Sequence, residues 1–167
     1  MKADKVYNVL FLCTGNSARS IMAEALLNSL GQGRFKGYSA GSHPAGQVNP
    51  LTIELLGKSG YRVDDLRSKS WDEFAAPGAP RMDLVITVCD NAAGEVCAVW
   101  PGQPVSAHWS FQDPAAFQGP NDEKRRVFQE IFHQIGNRAR LLVSLPIERL
   151  DRLSLKQKVK EIGENPP

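Results

Sequence analysis

A cysteine and an arginine flank a short loop at a predicted junction between a strand and a helix. The apolar run Val9–Leu12 ends in Cys13, residues 14–18 are small or polar, and Arg19 and Ser20 open a helix-like stretch. A strand, a tight loop and a helix N-terminus form an anion site, because free backbone N–H groups and the helix dipole point at one spot. There the pKa of a thiol can fall from about 8.5 to about 4–7. We therefore expect a thiolate nucleophile in a site for a tetrahedral oxyanion.

The alternative is a buried strand that ends in a cysteine before an ordinary turn, since free cysteine often packs as a small hydrophobe. The spacing from Cys13 to Arg19, placed between a strand and a helix, favours the anion loop. The predicted oxyanion-binding residues are Thr14, Gly15, Asn16, Ser17, Ala18, Arg19 and Ser20.

The surrounding pattern alternates strands with helices. Strands are predicted at Tyr7–Leu12, Phe35–Ala40, Leu84–Val88 and Val105–Trp109, and helices at Ile21–Leu30, after Asn49-Pro50, at a turn over Ser70–Phe74 and over Glu123–Leu145. Such alternation predicts an α/β fold with a parallel sheet. Ligands of these sheets bind beyond the carboxyl ends of the strands. Cys13, Cys89 and the loop after Trp109 all follow a predicted strand, so we expect them at one site.

Two further groups are candidates for chemistry. Asp113, followed by Pro114, is a candidate general acid on a loop near the anion site, although Asp-Pro by itself is commonly a turn. Cys89 and Cys97 are either two core cysteines or a pair that exchanges disulfides, which requires their Cα atoms to come within about 7 Å. Asp90, Asn91 and Gly94 between them favour turns.

Composition limits the classes of partner. The 167 residues suit one domain with a substantial core, and a net charge of +2 without a basic block argues against nucleic acid. No apolar run reaches the length of a membrane span, and no secretory signal is visible, so a cytoplasmic protein is expected. Three cysteines without Cys-x-x-Cys spacing argue against a disulfide scaffold and a zinc site, so no metal is predicted.

Several segments together resemble the arsenate reductases of the low-molecular-weight protein tyrosine phosphatase-like family. They are Val9–Ser20 with Met22-Ala23-Glu24, Ser39–Ser42, Asn49-Pro50, Val88–Ala93, and His108-Trp109 with Asp113-Pro114. The resemblance covers about residues 6 to 143. It implies a three-layer fold with a four-stranded parallel sheet. We accordingly expect a reductase domain at residues 1–146 and a helical extension or tail at 147–167.

The resemblance also implies a reaction. Cys13 attacks arsenate held by the loop and Arg19, Asp113 protonates the departing oxygen, and Cys89 then attacks Cys13 and releases arsenite. Cys97 moves the disulfide to Cys89–Cys97, and an external thiol system, thioredoxin or glutathione with glutaredoxin, reduces it. Phosphate and sulfate are expected analogues of arsenate. No tightly bound cofactor is implied, although one branch of the family has a potassium site that would correspond to Asn16, Glu24, Ser39 and Asp72.

The candidate residues are compatible with three functions. The cysteine pair favours an arsenate reductase over a phosphomonoester hydrolase, which needs only Cys13, Arg19 and Asp113. Asp113 favours either enzyme over a redox or anion sensor without catalysis. Ile21 stands where the phosphatases usually have proline. The spacing of Cys89 and Cys97 is one residue longer than in the thioredoxin-linked branch, so the electron donor stays open.

Overall fold

The computed structural model describes residues 5–89 and 103–164, and its centre is a four-stranded parallel sheet in the order β2-β1-β3-β4. The strands are β1 Tyr7–Cys13, β2 Phe35–Gly41, β3 Leu84–Thr87 and β4 Val105–His108. The helices are α1 Arg19–Leu30, α2 Pro50–Lys58, α3 Asp72–Ala75, α4 Asn121–Val143 and α5 Arg152–Glu164, with short 3₁₀ turns at Pro114–Ala116 and Ile147–Arg149. This confirms the predicted fold class.

Strand β1 lies between β2 and β3, and both of its faces are covered. Successive side chains of a strand point to opposite faces, and residues 9–13 are all buried. Val9, Phe11 and Cys13 share a core cluster with α1, α4 and α5, whereas Leu10 and Leu12 pack with Phe74 of α3 on the other face. A strand covered on both faces reads as a continuous apolar run. That run ends at Cys13 and places its thiol at the carboxyl edge of the sheet.

The helix boundaries follow local capping chemistry. Asn49 caps α2, since its Oδ1 accepts a hydrogen bond from Leu51 N at 2.9 Å, with Pro50 in the first turn. The turn predicted over Ser70–Phe74 leads into α3, where Ser70 Oγ accepts from Asp72 N at 3.1 Å and the Glu73 carboxylate binds Arg67. Within the described ranges, no helix is both long and apolar enough to cross a membrane.

Helix α5 is part of the core rather than a loosely held tail. Val159 and Ile162 are buried with the sheet residues, and the Trp109 indole N–H donates to Val159 O at 3.0 Å. A Cβ at Gly163 would lie 2.6 Å from Trp109 Cδ1, so only glycine permits this approach. The helix therefore braces the segment that follows β4. The division of the chain at residues 146 and 147 remains a prediction.

Candidate active site

The carboxyl ends of β1, β3 and β4 meet at one edge of the sheet. The backbone pairing continues past β3 and β4, because Val88 N donates to Leu12 O and Trp109 N donates to Thr87 O, each at 2.8 Å. The Thr14 hydroxyl lies 3.6 Å from the Cys89 sulfur, and Arg19 reaches the segment after β4. The three predicted loops therefore converge as expected.

The loop after β1 turns its carbonyl oxygens outward. The carbonyls of Cys13, Thr14, Gly15 and Ser17 accept hydrogen bonds from the backbone N–H groups of Ser42, His43, Ala45 and Asn49, at 2.9–3.3 Å. In a trans peptide unit the N–H points away from the C=O, so the amides of Thr14, Gly15, Asn16 and Ala18 face the interior of the loop. The Gly15 N–H lowers the pKa of the Cys13 thiol. These amides can hold a tetrahedral oxyanion beside the thiol.

Asn16 fixes the shape of the loop. It is fully buried with a φ of 48°, in the left-handed region that most residues avoid. Its Nδ2 donates to Ser20 Oγ at 2.8 Å and its Oδ1 accepts from Lys69 N at 2.9 Å. Gly41 closes the loop from the β2 side, where a Cβ would lie 2.5 Å from Thr14 O. The oxyanion-binding role of Ser20 stays a prediction.

The Arg19 guanidinium is held in place with one donor to spare. Its Nη1 donates to Phe111 O at 3.0 Å, and its Nη2 lies 3.7 Å from Asp113 Oδ2. Within the described part of the chain, its buried Nε has no hydrogen-bond partner. An unpaired buried donor is costly, and an oxyanion in the loop would satisfy it. The Nε–H of Arg19 is therefore available to an anion in the loop, and oxyanion binding by Arg19 stays a prediction.

We expect Arg19→Lys to weaken oxyanion binding although the charge is kept. An ammonium is a point charge and cannot reproduce a planar fork. Losing one hydrogen bond to a charged group costs about 1.5–3 kcal/mol, so the Kd for phosphate should rise about 10- to 100-fold. Calorimetric titration with phosphate measures this. Arg125→Lys, the same change in a surface pair with Glu54, is the control, and equal affinities in all three proteins would contradict the assignment.

Asp113 lies at the mouth of this site, on a loop held by two arginines. Its side chain is 43% exposed, and its Oδ1 accepts from Ala115 N at 3.0 Å, so the residue also makes the turn that Asp-Pro favours. Arg138 of α4 donates to Ser110 O at 3.0 Å and stacks on Phe111, while Arg19 binds Phe111 O. Its Oδ2 lies on the side of Arg19. A carboxyl group there can reach an oxygen of a bound oxyanion.

The Cys13 thiol differs from the sequence expectation. Its side-chain hydrogen bond with Cys89 raises the pKa of Cys13, and burial raises it further, whereas the charge of Arg19 and the Gly15 N–H lower it. In this state the second buried thiol opposes the expected fall in the pKa of Cys13, whereas Arg19 favours it. Both cysteines are buried, and neither is in a disulfide. The geometry brings two reduced thiols together within one site.

A buried polar cluster lies beneath the loop, at the positions that correspond to the potassium site of one branch of the family. The Lys69 ammonium donates to Ser39 O at 2.9 Å and to Ser39 Oγ at 3.4 Å, and lies 3.8 Å from Glu24 Oε1. Asp72 is exposed and lies at the start of α3. The oxygens that would bind potassium are thus already occupied by an ammonium group. The residues of this chain do not fit the potassium site of the related branch.

Sequence reasoning found some site residues and missed others. The structure brings together the predicted Cys13, Arg19, Cys89 and Asp113, while Cys97 lies outside the described residues. It adds Gly41, Lys69 and Arg138, which support the loops without facing the anion site directly. Gly41 was within reach of sequence reasoning, since a glycine at the end of a strand signals a close backbone approach. Lys69 and Arg138 carry no such local signal.

Comparison with known proteins decides the family. The profile of the low molecular weight phosphotyrosine protein phosphatase family matches residues 8–159. The chain belongs to this family. The match extends beyond the resemblance seen in the sequence and takes in part of α5. The relatives of this chain are named as enzymes, which favours an enzyme over a sensor without catalysis.

Its relatives include proteins named as arsenate reductases. The arsenate reductase of Bacillus subtilis strain 168 is 38% identical over 130 residues, which are 78% of this chain and 90% of that protein. The structure of the Archaeoglobus fulgidus arsenate reductase is similar, with a TM-score of 0.59 and 31% identity, over 78% of this chain and 98% of that one. A thioredoxin-dependent arsenate reductase from Corynebacterium glutamicum matches with a TM-score of 0.57 and 29% identity, over 80% of this chain and 60% of that one.

Proposed function

We propose that this phosphatase-family enzyme reduces arsenate to arsenite. The observation that carries the proposal is the second thiol at the site: Cys89 contacts Thr14 and shares a hydrogen bond with Cys13. Hydrolysis of a phosphate ester consumes no electrons and needs no second thiol. Reduction of As(V) to As(III) consumes two electrons, which two thiols supply when they become a disulfide. The similarity to proteins named arsenate reductases supports the same conclusion.

The first step is nucleophilic substitution at arsenic. The loop amides and Arg19 hold arsenate, and the Cys13 thiolate forms a bond to arsenic while one arsenic–oxygen bond breaks. Asp113 donates the proton that lets this oxygen leave as water. Arsenic is still As(V) in the resulting adduct. Because Cys89 lies against the Cys13 loop, the second thiol needs little movement to follow.

The second step is the reduction. The Cys89 thiolate attacks the Cys13 sulfur, the sulfur–arsenic bond breaks, and its electron pair leaves with arsenic as arsenite. A Cys13–Cys89 disulfide remains. Cys97 then attacks Cys89, which frees Cys13 and leaves a Cys89–Cys97 disulfide for an external thiol to reduce. The relay starts from reduced thiols, which a reducing compartment maintains, so we infer a cytoplasmic enzyme.

Turnover with arsenate under two separate reducing systems tests the proposal. One assay contains thioredoxin, its reductase and NADPH, and the other contains glutathione, glutaredoxin, glutathione reductase and NADPH. The name of the Corynebacterium glutamicum neighbour makes thioredoxin the first candidate donor. We expect arsenite to appear with one donor. Absence of arsenite with both donors, together with hydrolysis of a small aryl phosphate, would instead establish the phosphomonoesterase that Cys13, Arg19 and Asp113 also favour.

We expect Asp113→Asn to slow formation of the arsenic adduct while oxyanion binding stays nearly unchanged. The amide keeps the size of the side chain but cannot donate the proton, and general acids contribute about 100- to 10,000-fold. Rapid-quench single-turnover assays and phosphate titration measure the two effects separately. Asp122→Asn, an exposed aspartate in α4, is the control. If Asp113→Asn forms the arsenic adduct at the rate of the parent, Asp113 stabilises the backbone turn and is not the general acid.

A further inference from the structure

Lys69 is a buried cation whose hydrogen bonds are all made inside the protein. Its ammonium donates to Arg67 O at 2.8 Å, in addition to the two oxygens of Ser39, and Glu24 supplies the nearby negative charge. The side chains of Lys69 and Glu24 are 7% and 13% exposed. Ser39 Oγ donates in turn to Glu24 Oε1 at 2.5 Å. An ammonium has three donors, and here each has an oxygen acceptor.

This arrangement is expensive for stability alone. Burial lowers the pKa of Lys69 and raises the pKa of Glu24, so each charge is disfavoured by its surroundings. A buried ion pair seldom stabilises a fold more than apolar residues of similar volume would. A role in fixing a particular geometry accounts better for the pair.

The geometry that Lys69 fixes is that of the oxyanion loop. Its backbone N–H donates to Asn16 Oδ1, and its carbonyl accepts from Gly41 N, each at 2.9 Å. Asn16 holds the left-handed turn of the loop and Gly41 packs against Thr14 O. The Lys69 ammonium holds the carbonyls of Ser39 and Arg67. It therefore fixes the Lys69 backbone, which in turn sets the positions of Asn16 and Gly41. The Lys69 side chain and backbone link β2 to the loop.

We propose that Lys69 is a positioning residue: its ammonium is a built-in cation that holds the oxyanion loop in its binding geometry, where a related branch of the family would use a bound potassium ion. An effect of Lys69 on arsenate turnover rests on the proposed function. An effect of Lys69 on oxyanion binding at Cys13 does not, and it is tested without turnover. Because the cation is a side chain of the protein, the activity of this protein does not depend on added potassium.

The first test compares Lys69→Met with Lys58→Met, which removes an exposed lysine from α2. The readout is protection of Cys13 from iodoacetamide by inorganic phosphate, which needs no arsenate reduction. A small displacement of a binding loop can cost about 100-fold, and we expect Lys69→Met to need about 10- to 100-fold more phosphate and Lys58→Met to match the parent. Unchanged protection in Lys69→Met would overturn the proposal.

Chemical rescue separates a cation role from a merely structural one. Lys69→Ala leaves space beside Glu24, which also lines a surface cavity of about 460 Å³ with Asn28, Tyr61 and Asp65. We expect methylammonium or potassium chloride to restore phosphate protection and kcat/KM in Lys69→Ala and to leave the parent unchanged, with choline chloride as the ionic-strength control. Impaired protection that neither cation restores would overturn the built-in cation.

A double variant keeps the proposal testable if Lys69→Met does not fold. Lys69→Met alone leaves the Glu24 carboxylate buried without its partner, whereas Lys69→Met combined with Glu24→Gln removes both charges. We expect the double variant to fold by circular dichroism and still to bind phosphate weakly. Parental phosphate protection in the double variant would show that the loop needs no cation. If the parent fails to reduce arsenate, the proposed function fails, but these protection assays still decide the role of Lys69.

Discussion

Replacing Cys13 with serine should abolish arsenate reduction and any hydrolysis of aryl phosphates. The hydroxyl of serine is not ionised near neutral pH, and the thiolate is the nucleophile of both reactions. We expect a loss of more than about 1,000-fold in kcat for each. Arsenite formation and nitrophenol release from 4-nitrophenyl phosphate measure the two activities on the same preparation.

The Cys13→Ser protein should still bind oxyanions, because the loop amides, Arg19 and the supporting residues Asn16 and Gly41 are unchanged. Phosphate titration is therefore the control for folding of the site. If the variant binds phosphate as tightly as the parent but has no activity, the lost activity is due to the missing nucleophile. Substantial arsenite formation by this variant would remove Cys13 from the mechanism.

Replacing Cys89 with serine should stop arsenite release while hydrolysis of aryl phosphate survives. The Cys89 sulfur supplies one of the two thiols whose oxidation reduces arsenic, whereas hydrolysis uses only Cys13, Arg19 and Asp113. We expect multiple-turnover reduction to fall by more than about 1,000-fold. Parallel assays with arsenate and 4-nitrophenyl phosphate give the ratio of the two activities.

The same variant tests the electrostatics of the thiol pair. The hydrogen bond with Cys89 is the largest influence that raises the pKa of Cys13, so Cys89→Ser should shift the pH profile of Cys13 alkylation to lower pH. Cys97→Ser is the matched control, with the same exchange at the third cysteine. Full multiple-turnover arsenate reduction by Cys89→Ser would show that the relay is wrong and that Cys89 is a core residue.

The reaction loop could be predicted from the sequence because its signals are local. An apolar run, small loop residues and a helix start define the segment from Val9 to Ser20, and the parallel sheet follows from the alternation of strands and helices. Parallel strands place their carboxyl ends at one edge, so the convergence of Cys89 and Asp113 on Cys13 also follows from chain order. Cys97 lies outside the described residues, and the catalytic roles of the other site residues stay predictions.

The supporting contacts could not be predicted because they join residues far apart in the chain. Lys69 meets Ser39 and Glu24, and Arg138 meets Ser110, through tertiary packing that no local spacing encodes. The direction of the Cys13 pKa shift depends on Cys89, which lies on another strand end. Helix α5 shows few apolar residues among its charges, yet Val159 and the glycine at 163 dock it against Trp109.

The most direct test of the two-thiol reduction is a single turnover by Cys97→Ser with arsenate and no external thiol. Removing Cys97 blocks transfer of the disulfide, so the enzyme should stop after one reaction. We predict one arsenite per protein chain and a Cys13–Cys89 disulfide, quantified by arsenic speciation and mapped by mass spectrometry after alkylation of free thiols. Arsenite formation with Cys13 and Cys89 both still alkylatable, or no arsenite at all from a protein that binds arsenate, would contradict the account.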